Sequence, residues 1–192
     1  MAITLRSIHF LTTLLLLSSP LLAQKYDYRL VATSKTSTLE KEMNQAAEAG
    51  FEFGSVMGGE SSVGGKEVIV VMVKNLDNPG PAKTYKVLAA SKTGTLQREL
   101  QQVGDAGFIY CGQTIFESAF GGREVSIILE RELSDTQPRK IEYRLLATQR
   151  TSTMERELRE AGNAGFEFLS VVIGKTALGG KEVVSILQRT EK

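Results

Sequence analysis

Three times in this chain a cation stands directly before a threonine, with a second threonine two residues further on. The segments are Lys35-Thr36-Ser37-Thr38, Lys92-Thr93-Gly94-Thr95 and Arg150-Thr151-Ser152-Thr153. Where such a segment opens a helix, the cation, the hydroxyls and the free backbone N–H groups can hold an anion. The simpler reading is that the threonines cap the helix and the turn before it. Carboxylates recur with the same regularity, as Glu42, Glu99 and Glu157 and again as Glu67, Glu124 and Glu182. Two of them converging could work as acid and base. Three equivalent copies suit one structural ion pair per unit better, with Lys66, Arg123 and Lys181 standing beside the second set. An apolar residue precedes each of three Gly-Gly pairs: Val63, Phe120 and Leu178. If these three tips lie together they form a partner-binding rim; otherwise each folds back on the neighbouring unit.

Several chemistries fall away. The only histidine is His9, inside the N-terminal leader described below, so His-based catalysis and His metal sites have no residue to use. Cys111 is the only cysteine, which excludes an intramolecular disulfide and a Cys-rich metal cluster. It is read as a small buried thiol, the alternative being a reactive or intermolecular one. No phosphate-binding loop, dinucleotide fingerprint or Ca²⁺ loop has the required spacing. No catalytic, metal or cofactor-binding residue is assigned.

The leader carries Arg6, an apolar run from Phe10 to Leu17, a break at Ser18-Ser19-Pro20 and then Leu21-Leu22-Ala23. That is the pattern of a cleavable secretory signal over residues 1–23, cut after Ala23. The apolar run is short for a membrane span of ~20 residues, and an uncleaved anchor is the alternative. The expected location is periplasmic or secreted, with no stable membrane span after cleavage. Without Arg6 the remainder has 22 basic residues (23 − 1) against 22 acidic ones. That balance argues against a nucleic-acid partner.

The chemistry-bearing residues recur because the chain is a triplicate. Ala49-Gly50-Phe51, Ala106-Gly107-Phe108 and Ala164-Gly165-Phe166 mark units with spacings of 57 and 58 residues. A period this long is a supersecondary unit used three times. Each unit opens on a strand, Tyr28 to Ala32, Tyr85 to Ala89 and Tyr143 to Ala147, with Tyr, an apolar residue and Ala on one face. A helix follows, with apolar stripes Leu39-Met43-Ala46, Leu96-Leu100-Val103 and Met154-Leu158-Ala161. Ser37 with Glu40 and Ser152 with Glu155 have capping-box spacing, and Gly94 with Gln97 is the weaker copy. Gly50, Gly107 and Gly165 sit where the helix must end in a left-handed residue. A second strand begins with alternating aromatics, Phe51 and Phe53, Phe108 and Tyr110, Phe166 and Phe168. A third, such as Val68 to Met72, is apolar on both faces, which points to units packed on one another.

The expected fold is α+β: three tandem β-α-β-β repeats at 24–76, 84–133 and 141–192, each a three-stranded sheet with one packed helix. The first two strands should run parallel, with the third antiparallel between them. The units would pack in a row or about a pseudo-threefold axis.

The string Tyr26-Asp27-Tyr28-Arg29-Leu30, then Met43-Asn44 to Gly50-Phe51-Glu52-Phe53, resembles DUF4177, a small bacterial family of unknown function. The second copy matches at Leu100, Gly104, Gly107 and Phe108, the third at Leu158, Gly162, Gly165, Phe166, Glu167 and Phe168. The chain departs by Phe in place of the family's Trp, by Ala47 in place of the first Gly, and by triplication and export. The family has no agreed activity, so the resemblance implies a fold and no chemistry.

The function expected is a non-catalytic binding or scaffold module with a protein partner in the cell envelope, contacted through Val63, Phe120 and Leu178. The alternatives are a carboxylate-based envelope hydrolase, and a small-anion or ligand binder at Lys35, Thr36, Lys92, Thr93, Arg150 and Thr151.

Overall fold

The computed structural model describes residues 25–61, 65–117, 123–175 and 181–190. The leader and its cut site lie outside them, as do Val63, Phe120 and Leu178. The first repeat is β1 (Tyr26–Thr33), α1 (Thr36–Glu48), β2 (Glu52–Ser61) and β3 (Gly65–Asn75). The second is β4 (Lys83–Ala90), α2 (Thr93–Asp105), β5 (Ile109–Glu117) and β6 (Arg123–Glu132). The third is β7 (Ile141–Thr148), α3 (Thr151–Asn163), β8 (Glu167–Lys175) and β9 (Lys181–Thr190). The sheets have strand orders β1-β3-β2, β4-β6-β5 and β7-β9-β8, every neighbouring pair antiparallel. The expected three β-α-β-β units are therefore present, with the third strand in the middle.

The helices end as the glycines dictate. Gly50, Gly107 and Gly165 have φ of 83°, 77° and 83°, a region that costs a residue with a Cβ. In the first unit Phe51 N–H then reaches back to the Ala46 carbonyl at 3.0 Å, and Gly50 N–H to Ala47 at 2.8 Å. A cation from the third strand covers the carbonyl at each helix end: Lys74 on Ala49, Arg131 on Ala106, Arg189 on Ala164. The positive charge also suits the negative end of the helix dipole.

The helix starts differ from expectation. Lys35, Lys92 and Arg150 are the N-cap residues, and none of the three helices has a side-chain cap. Ser37 and Ser152 lie inside the first turn, so the capping boxes do not form. Thr33 and Thr148 instead take the N–H of Lys35 and Arg150 through their hydroxyls, at 3.1 and 3.2 Å. Glu40, freed from capping, reaches the next repeat.

The units stack in a row. On the first sheet one face packs under α1 through Val31, Val68, Val70 and Met72. The same core is completed by Tyr85 and Ile128, which belong to the second repeat. The core of the second repeat is likewise completed by Ile141, Tyr143 and Ile186 of the third. Thus the helix-side face of the first and second sheets is covered partly by the sheet's own helix and partly by the back of the next sheet. That is why the third strands are apolar on both faces: Ile127 and Leu129 serve the α2 side while Ile128 serves the preceding core. Among the described residues no further repeat covers the third, and its core cluster shrinks to Ala161, Phe166 and Leu187. No comparable packing joins α3 to β1, so among the described residues the row is open at both ends.

Candidate functional site

The seam between repeats is a clamp in which a helix grips the free edge of the next repeat's first strand. A strand edge exposes N–H and C=O groups that need partners. The Asn44 side chain, on α1, accepts the Tyr85 N–H at 2.9 Å and donates to the Tyr85 carbonyl at 3.0 Å. Its oxygen also accepts the Thr84 hydroxyl at 2.9 Å. One turn earlier, Glu40 accepts the Val87 N–H at 3.0 Å and pairs with Lys86 at 2.8 Å. On α2 the same two positions are Gln101 and Gln97. Gln101 accepts the Tyr143 N–H at 2.9 Å; Gln97 accepts the Leu145 N–H at 2.7 Å and donates to the Tyr143 carbonyl at 2.9 Å.

Below the clamp a tyrosine acts as a peg. Each second strand carries a bulge, at Phe53/Ser55, Tyr110/Gly112 and Phe168/Ser170. The Tyr85 hydroxyl accepts the Phe53 N–H at 2.8 Å, and the Tyr143 hydroxyl accepts the Tyr110 N–H at 2.8 Å. Tyr143 also donates to the Phe108 carbonyl at 2.9 Å. Burial raises both tyrosine pKa values well above the usual phenol range. At Lys83 burial works to lower the pKa, but hydrogen bonds to Glu130 and Glu52 outweigh it and raise it. Burial, then the charge of Glu130, pushes the Cys111 thiol up, which keeps it protonated and a poor nucleophile.

The ends of the row carry the two halves of this seam without a mate. Tyr28 is 63% exposed, whereas its counterparts Tyr85 and Tyr143 are 1% and 2% exposed. Beside it Leu30 is 68% exposed and Tyr26 44%. At the other end Phe168, Val171 and Ile173 lie on the α3 side of the third sheet, at 50%, 50% and 60%. On α3 the clamp positions are Glu155 and Arg159, both exposed and paired with each other at 2.6 Å.

The residues singled out in the sequence are placed as follows. Lys35 with Thr36, Lys92 with Thr93, and Arg150 with Thr151 each stand at the start of their own helix. At α2 the Thr93 hydroxyl already meets a protein carboxylate, Glu182 on β9, at 3.3 Å. Glu42, Glu99 and Glu157 are half-buried on the helices. Among the described residues no group of three or more His, Cys, Asp or Glu is arranged to hold a metal, and no helix is long and apolar enough to cross a membrane. The clamp residues Glu40, Asn44, Gln97 and Gln101 were not legible as functional. Their signal was a helix register that is polar in every copy, with Glu155 repeating Glu40 and only Arg159 changing character from Asn44 and Gln101.

No family model, no curated protein and no solved structure matches this chain.

Proposed function

We propose that this chain is an exported, non-catalytic binding or scaffold module that makes its contact through the open ends of the repeat row. One observation carries the reading. The same tyrosine that is buried as a peg in two repeats stands exposed in the first, beside Leu30, on the outer strand of its sheet. A monomer seldom leaves an aromatic and aliphatic face beside an unpaired edge unless something covers it. Export is supported by the leader pattern of residues 1–23, and the DUF4177 likeness adds a fold without an activity. Glu40, Glu52, Glu130 and Glu142 are engaged in ion pairs that hold strands and repeats together.

The test is capture from an envelope extract by the purified protein, expressed with its N-terminal segment so that any processing is the cell's own. A Leu30→Glu variant runs beside it. The reading predicts a protein retained by the native form and lost from the folded variant. Equal retention by both, or none by either, overturns it.

A further inference from the structure

The two ends of the row are complementary. The chain's own internal seams, built twice, show how one end would receive the other. We propose that the chain docks head to tail on a second copy of itself, β1 of one molecule lying along α3 of the next with Tyr28 reaching β8, as β4 lies along α1 and β7 along α2 with Tyr85 and Tyr143 reaching β2 and β5. The proposal rests on the binding-module reading and names its partner.

Shape supports it first. Gly104 on α2 lets β7 approach so closely that a Cβ there would strike the Ile141 carbonyl and lie 2.7 Å from the Tyr143 ring. Gly162 is its counterpart on α3, and nothing lies within 4 Å of where its Cβ would be. A glycine inside a helix weakens the helix, and within its own chain Gly162 brings no close approach in return. A strand laid along α3 fills that space.

The polar groups match as well. The bulge at Phe168 repeats those whose N–H groups are taken by Tyr85 and Tyr143, and the tyrosine that remains is Tyr28. Asn44 faces Thr84 across the first seam. At the same two positions the open ends carry Arg159 and Asp27, opposite charges where the first seam has the neutral Asn44 and Thr84 and the second has Gln101 and Glu142. Glu155 stands at the position of Glu40, which takes a strand N–H and pairs with Lys86. In the docked pair it meets the Leu30 N–H and Arg29. Until then Arg159 holds Glu155, and Asp27 accepts the Tyr28 N–H at 2.9 Å. Such pairs add little energy each, but they fix register and choose the partner. An occupant of the α3 end must bring an edge strand with a tyrosine, an apolar residue two positions on and an acid before the tyrosine. β1 of this chain is such a strand. The contact is heterologous, so each addition leaves a new head and a new tail.

Sedimentation velocity over a range of concentrations tests this. The native chain should give species that grow past the dimer. Leu30→Glu blocks the head and Phe168→Glu blocks the tail; both positions are exposed, and circular dichroism checks the fold. Each variant alone should be monomeric, and an equimolar mixture should form a 1:1 dimer and nothing larger. Arg159→Glu should weaken association by roughly tenfold or more, with recovery when the facing copy carries Asp27→Arg. A native chain that stays monomeric, or dimers that stop at two and survive Phe168→Glu, overturn the proposal. If the native chain is monomeric while Leu30→Glu still abolishes envelope capture, the self-docking proposal fails and the binding-module reading stands. If neither assay responds to Leu30→Glu, both fail.

Discussion

The side-chain amide of Asn44 spans the backbone of Tyr85, taking its N–H and serving its carbonyl across the boundary between two repeats. A leucine at position 44 keeps the helix but orphans both backbone groups in a partly buried seam. Asn44→Leu should therefore destabilise the protein by about 2 kcal/mol, since an unpaired buried group costs about 1–3 kcal/mol. Gln101→Leu should behave alike. Arg159→Leu, on the helix without a follower, should change thermal stability very little. Urea unfolding at low protein concentration measures all three.

Gly104 and Gly162 occupy the same helix position with opposite surroundings. Gly104→Ala drives a methyl into the Ile141 carbonyl and the Tyr143 ring, and overpacking of this kind costs about 1–3 kcal/mol. Gly162→Ala meets nothing and should stabilise the monomer by roughly 0.5–1 kcal/mol through helix propensity. The same change should weaken self-association, so stability and docking move in opposite directions. Melting curves of the dilute protein, with sedimentation beside them, read both.

Alkaline pH should loosen the seams. Tyr85, Tyr143 and Cys111 are raised chiefly by burial, and Lys83 is raised by its carboxylate partners against the effect of burial. All four hold their protons longer in the folded than in the unfolded chain. Below about pH 8 the two states are equally protonated at these groups. Above it the unfolded chain sheds protons first, so stability falls as pH rises. The contribution of Lys83 is complete below about pH 10 and is lost as pH climbs through its raised folded value. Tyr85→Phe with Tyr143→Phe should lower stability at pH 7 by about 1 kcal/mol per lost hydroxyl and flatten its decline above pH 9. Tm measured from pH 7 to 11 checks this; an unchanged slope in the double variant contradicts it.

Gln113 on β5 is the polar counterpart of Val56 and Val171, and neither of its amide atoms has a hydrogen-bond partner. Gln113→Val removes that unmet demand and should stabilise by about 1 kcal/mol. Denaturant titration would show it as a higher midpoint with the same slope.

The repeat made the fold legible. Three copies of Tyr, Gly and Phe at fixed spacing fixed the strand, the helix end and the second strand, and the two-sided third strands announced that the units pack together. What stayed hidden was position in the row. Tyr28, Tyr85 and Tyr143 are one residue in sequence terms, yet only the first is exposed, because exposure depends on whether a neighbour precedes it. The capping-box reading failed because the helices start at Lys35 and Arg150, which leaves Ser37 and Ser152 inside the first turn. The carboxylates at the box position go elsewhere, Glu40 to the backbone of β4 and Glu155 to Arg159. The candidate surface at Val63, Phe120 and Leu178 lies outside the described residues. The surface that emerged at Tyr28, Leu30 and Phe168 is made of residues whose counterparts are ordinary core.

Amide hydrogen exchange at two protein concentrations tests the central claim, that the ends of the row are unmated halves of an interface, most directly. The amides of Val87 and Leu145, taken by Glu40 and Gln97, and those of Phe53 and Tyr110, taken by tyrosine hydroxyls, should be protected at any concentration. Their end-of-row counterparts, the amides of Leu30 and Phe168, should exchange quickly in dilute protein and become protected together as concentration rises. Fast exchange at Leu30 and Phe168 that ignores concentration, or protection of one without the other, would contradict the account.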